Sequence, residues 1–141
     1  MKVIYNKLIP FPGFAYINLF GILFGRSKYC VSLTRRSYTH ESIHSAQYRD
    51  LLYVFFLPLY LIEWLIKLPF SMFYKQPVVG HVSRVAYRSI SFEQEAFYNQ
   101  YDYDYLKHRK PFAFMKYIFT MYDKDKEVKK TGPEEYIEIN K

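Results

Sequence analysis

Apolar positions divide the chain into four stretches. Residues 1–25 are apolar and turn-rich, and residues 51–73 form the most continuously apolar segment. Residues 91–109 and 112–122 mix apolar and polar positions at helical spacing. Pro10-Phe11-Pro12-Gly13 reads as a turn. Residues 15–24 read as one strand or a bent hairpin around Asn18 and Gly21. A basic loop follows over residues 26–37, with room for a strand at 29–33. A helix is predicted to begin near Ser37 or Thr39, whose hydroxyls can accept from the free N–H groups of a first turn. Glu41 in that turn complements the helix dipole. No breaker follows until Pro58, so the helix is predicted over about residues 38–57. Pro58 kinks or ends it, the apolar pattern resumes to Lys67, and Pro69 closes it. Residues 74–90 read as a basic, β-prone connection. Ser91 followed by Gln94 is a capping-box pattern that opens a helix to about Arg109, where Pro111 stops it. Residues 112–122 predict a short amphipathic helix. The resulting class is mainly α with a small N-terminal β element (α+β). It divides into one domain over residues 1–122 and a charged, flexible tail over 123–141.

Composition adds an aromatic excess. Of 141 residues, 16 are Tyr and 13 are Phe, more than an ordinary soluble domain carries. Such side chains suit a membrane–water boundary or a peptide groove. The uninterrupted apolar run over 51–62 is short of the roughly 20 residues that span a bilayer. Three readings of 51–73 therefore compete: a buried core helix, an interfacial or re-entrant segment, and a kinked span that carries Glu63. Glu63 and Lys67 stand at i,i+4 and can pair. A mean hydropathy of −0.21 argues against a polytopic membrane protein.

The net charge of +7 comes with no nucleic-acid motif. Its readings are attraction to an anionic membrane surface or a merely solvated basic exterior. The single cysteine, Cys30, precludes an intrachain disulfide and reads as buried and inert. The first residues lack the architecture of a cleaved signal peptide. Location is therefore predicted as membrane-associated or cytoplasmic. Nothing in the pattern speaks to oligomeric state.

The chemistry concentrates at His40-Glu41-Ser42-Ile43-His44. Positions i and i+4 share a helix face, so His40 and His44 can both point at one metal. Imidazole binds Zn²⁺ well, and a bound zinc brings the pKa of water towards neutrality, where Glu41 is a sufficient base. Catalytic zinc takes three protein ligands. The best third ligand lies on the polar helix further along, at Glu93 or Glu95. The HExxH helix is thus predicted to pack on a second, Glu-bearing helix.

This arrangement resembles the glutamate-ligand branch of the zincins, the gluzincins. The resemblance implies a zinc-dependent peptidase that hydrolyses a peptide or small protein. In that branch a small residue commonly stands three positions after the ligand glutamate; Ala96 does so for Glu93, whereas Tyr98 is bulky after Glu95. The family's aspartate four positions on is replaced by Phe97 after Glu93 and by Asn99 after Glu95. Residues 40–47, followed later by Phe-Glu-Gln-Glu-Ala-Phe, also resemble small bacterial HExxHxxQ proteins, and the apolar segment after Asp50 is similar to that of membrane zincins of the β-lactam-sensing type. The alternative reading is a catalytically inactive, membrane-associated zinc-binding or scaffold module. Asp50 is a candidate to anchor the site from behind. Tyr98, Tyr105, His108 and Arg109 are candidates to stabilise an oxyanion, and for each a structural role is the simpler expectation. His81 reads as a surface histidine.

Overall fold

The computed structural model describes residues 1–9, 16–26, 33–74, 81–128 and 132–137. It is a mainly α, α+β fold: a three-stranded sheet at the N-terminal end is followed by five α-helices among the described residues. Strands β1 (Lys2–Asn6), β2 (Tyr16–Leu19) and β3 (Ile22–Arg26) lie in the order β1-β3-β2, with β1 parallel and β2 antiparallel to β3. The bent-hairpin alternative for residues 15–24 is the one adopted. Phe20 and Gly21 form its two-residue turn with φ of 53° and 78°, the left-handed pair that matches strand twist. Asn18 holds this turn to the first helix. Its Oδ1 accepts from Gly21 N–H at 3.1 Å, and its Nδ2 donates to the Glu41 carbonyl at 2.7 Å and to Ser45 Oγ at 2.9 Å. Cys30 and most of the strand predicted at 29–33 lie outside the described residues.

Helix α1 spans Arg35–Asp50. Its cap is Thr34, whose hydroxyl accepts from Ser37 N–H, in place of Ser37 or Thr39. The first turn therefore holds no acid, and Glu41 sits beyond it. The helix stops at Asp50, ahead of Pro58, because Leu52 and Tyr53 turn left-handed at φ 51° and 63°. Helix α2 (Phe56–Phe73) has Pro58 in its first turn, where a missing N–H loses nothing. It runs on through Pro69. Helix α3 (Val82–Ser89) replaces the β-prone connection: Val85, Ala86 and Ser89 are buried at helical spacing, and that packing overrides the β-branched preference.

Helix α4 (Ser91–Asn99) follows after Ile90 alone. Ser91 does not cap its own helix. Its N–H and hydroxyl both go to the Glu63 carboxylate of α2, at 2.8 and 2.7 Å, so an acid from another helix covers the α4 N-terminus. Gln94 reaches the Ser89 carbonyl at 2.7 Å. The helix predicted to Arg109 breaks after Asn99, resumes only over α5 (Tyr105–His108), and in between Asp102 accepts from Asp104 N–H at 3.2 Å. A short 3-10 turn at Ala113–Tyr117 stands where an amphipathic helix was predicted. Beyond it, Thr34 bridges to Tyr136, and Arg35 pairs with Glu135 at 2.9 Å.

Much of the aromatic excess is core. Tyr48, Phe56, Ile90, Phe92 and Phe114 form one cluster, with ring centroids 4.0 Å apart for Tyr48–Phe56, 4.8 Å for Phe56–Phe92 and 4.4 Å for Phe92–Phe114. Helix α1 packs on α4, with Ile43 against Ala96.

Helix α2 turns its polar side chains inward and apolar ones outward. The buried-core reading fails, since only Phe56, Lys67 and Ser71 are buried. Its inward stripe carries the polar groups Tyr60, Glu63, Lys67 and Ser71, with Glu63 and Lys67 paired at 2.8 Å. Its exposed positions, such as Leu59, Ile62, Leu65, Ile66 and Phe70, carry no charge. By length and composition this one helix is apolar enough to cross a membrane.

Candidate metal centre

His40 and His44 lie on successive turns of α1, and Glu93 lies in the first turn of α4. The Ile43–Ala96 contact lets the two helices approach, which carries Glu93 over the imidazoles. His40 Nε2 and His44 Nε2 are 3.2 Å apart. Glu93 Oε2 is 3.4 Å from the first, and its Oε1 is 3.3 Å from the second. Bonds of about 2.0–2.1 Å to a tetrahedral ion place ligand atoms roughly 3.3–3.4 Å apart, so the group has the spacing of three corners of such a site.

The hydrogen bonding leaves these atoms facing one another. His44 Nδ1 is bonded to Gln47 Oε1 at 2.7 Å. Gln47 is oriented from the other side, where its Nε2 donates to Glu95 Oε2 at 3.0 Å and to the Phe92 carbonyl at 3.0 Å. Its oxygen therefore faces His44, the proton sits on Nδ1, and Nε2 is left bare for a metal. Glu93 Oε1 accepts from Tyr60 hydroxyl at 2.8 Å, while Oε2 is buried and accepts no hydrogen bond from the described residues. An orphaned, buried carboxylate oxygen beside two imidazole nitrogens fits a cation.

The electrostatics agree. Burial opposes a charged His44, yet the Glu93 charge and hydrogen bond outweigh it and push the imidazole up to about 9. Burial likewise opposes ionised Glu93, and the histidines hold its carboxyl well below the usual range despite it. Burial raises Glu41 above the ordinary carboxylate value, with the histidines working against that shift. Burial and the Glu93 charge raise the Tyr87 phenol well above its usual range.

Two cavities flank the group. One, of about 410 Å³, is lined by Glu41, His44 and Glu93, by all four residues of β2, and by apolar and aromatic side chains of α2 together with Tyr87. The other, of about 330 Å³, is polar, with Arg36, His40, Arg88 and Glu127 in its wall. Tyr16 and Glu41 line both. Strand β2 is an edge of the sheet among the described residues, and its four residues run along the cleft.

Of the sequence candidates, His40, His44, Glu41 and Glu93 come together. Glu95, on the same helix, turns away. It pairs with Arg109 at 2.6 Å, accepts from Tyr105 hydroxyl at 3.1 Å, and reaches the His40–His44–Glu93 cluster through Gln47. Asp50 pairs with Arg109 at 2.8 Å and accepts from Phe112 N–H at 3.0 Å. Tyr98 donates towards Gln94 and accepts from Asp123 N–H at 2.7 Å, and His108 lies beside Asp102 at 3.3 Å. None of Tyr98, Tyr105, His108 and Arg109 lines the large cavity. His81 is exposed at the start of α3. Tyr60 and Tyr87 are the functional candidates that sequence reasoning missed. The spacing 56, 60, 63, 64, 67, 71, a stripe that gathers the polar residues of an otherwise apolar helix, was the signal for Tyr60.

Comparison with protein-family models, curated proteins and solved structures returns no match to this chain.

Proposed function

We propose that this protein is a zinc-dependent peptidase of the gluzincin kind that works against a membrane surface. The observation that carries the reading is the convergence of His40, His44 and Glu93 at tetrahedral spacing beside Glu41 in a cleft walled by an edge strand. Two imidazoles and one carboxylate are a donor set suited to Zn²⁺. Zinc held there supplies Lewis-acid polarisation of a peptide carbonyl and acidifies water.

The chain's own residues do the rest. Strand β2, at the edge of the described sheet, lies along the cleft where an extended peptide would bind. Glu41 takes a proton from the attacking water and passes it to the leaving amine. Tyr87, on the cleft wall, is placed to donate to the charge that develops on the carbonyl oxygen, while Tyr60 keeps its proton on Glu93. The aromatic wall of α2 receives an apolar side chain. The uncharged outer face of α2 and the net charge of +7 support the membrane setting.

Glu41→Gln tests the reading. The variant should keep its zinc and its fold yet lose hydrolysis by about 10²–10⁴-fold. Unchanged cleavage at equal zinc loading would assign the hydrolysis to a contaminant or another site and make an inactive zinc-binding module the better account.

A further inference from the structure

The apolar outer face of α2 and the cleft share a rim. Leu57 and Leu61 line the large cavity with Glu41, His44 and Glu93, and they are 40% and 56% exposed. The same helix continues the exposed apolar surface away from the rim through Ile62, Leu65 and Ile66. The two charges within α2 are turned inward and satisfied there. Glu63 covers the start of α4, and Lys67 donates to the Ser89 and Thr120 carbonyls. The turn before the helix adds to the face: Leu52 and Tyr53 hold left-handed backbone while presenting apolar side chains to the outside. Backbone of this kind persists only where the surrounding structure over-determines it. A helix with polar groups inside and an uncharged exterior suits lipid as its outer neighbour, and the net positive charge suits an anionic leaflet.

We propose that the Leu57–Leu61 rim is seated in the headgroup–acyl boundary of an anionic bilayer, so that the cleft opens towards lipid and takes an apolar peptide segment that reaches it from the membrane. This rests on reading the cleft as a peptidase site. Its test needs neither metal nor turnover, so failure here leaves zinc binding and hydrolysis to be judged on their own measurements.

Trp64 is the only tryptophan of the chain and lines the same cavity. Full-length protein is mixed with vesicles of phosphatidylcholine and phosphatidylglycerol whose acyl chains are brominated near the headgroup. The protein should bind, and Trp64 emission should fall. Ile66→Glu, on the outer face away from the cleft, should lose vesicle binding, and Leu61→Glu should lose quenching. Both positions are exposed, so circular dichroism should show the fold retained. A Phe-rich peptide carrying a palmitoyl chain should protect Trp64 at a total concentration about tenfold below that required of the same peptide without the chain, because the anchor concentrates it at the surface. Vesicle-bound protein with unquenched Trp64 overturns the proposal, as does equal potency of the two peptides. A dimer in water with no vesicle binding also overturns it, by making a second copy the cover for this face.

Discussion

Gln47 Oε1 lies 2.7 Å from His44 Nδ1, one helical turn along α1, and this contact decides which nitrogen of His44 faces Glu93. The amide cannot turn over without losing its bonds to Glu95 and the Phe92 carbonyl. A carboxylate–amide–imidazole line thus does for His44 what a carboxylate alone does in many metal sites. Gln47→Leu should therefore lower zinc affinity by about 10–100-fold while His40, His44 and Glu93 all remain. A competition titration against a chelator reads this directly. Unchanged affinity would mean that the tautomer is set by something else.

Glu93 and Glu95 should fail in different ways. Glu93→Gln removes a ligand of the proposed site, so its loss of zinc affinity should exceed that of Glu95→Gln. Glu95→Gln acts on the metal only through Gln47, but it weakens a buried pair with Arg109. Breaking such pairs by removing one partner costs roughly 3–5 kcal/mol, so Glu95→Gln should show chiefly as lost stability. Denaturant midpoints and zinc titrations on both variants separate the two roles. The reverse pattern would transfer the ligand role to Glu95.

Lys67 ties α2 to the rest of the molecule. Its ammonium is buried, pairs with Glu63 at 2.8 Å, and donates to the Thr120 carbonyl at 3.0 Å, to Tyr117 at 3.3 Å and to Ser89. Lys67→Met keeps the length and apolar stem but strands Glu63 and the carbonyls. The expected loss is about 3–5 kcal/mol, read as a lowered unfolding midpoint. Little or no shift would show that α2 is held by its apolar contacts instead.

The parts of the site visible in the sequence are those set by local geometry. His40 and His44 share a face wherever residues 40–44 are helical, and the resemblance favoured Glu93 over the alternative Glu95 through Ala96, which packs with Ile43 in the structure. The parts that were not visible depend on distant segments. Glu63 capping α4 joins residues 28 positions apart, and Tyr60 reaches Glu93 across 33. No window of sequence contains such pairs. The helix ends were misplaced for a related reason. Asp50 ends α1 because Leu52 and Tyr53 adopt backbone that apolar residues seldom take, and Pro69 stays inside α2. Helix α3 was hidden because Val82 and Val85 look β-prone, and only the fold shows Val85 buried beside Tyr122 while Val82 stays exposed.

The central claim is a zinc site made by His40, His44 and Glu93, and metal content after dialysis tests it most directly. Wild-type protein, reconstituted with Zn²⁺ and dialysed against metal-free buffer, should retain about one zinc per chain, as a site with three protein ligands does. His40→Ala and His44→Ala should retain far less while circular dichroism shows the helices intact. Equal, sub-stoichiometric zinc in wild type and both variants would contradict the account, because the cluster would then be a proton-sharing group and no metal centre.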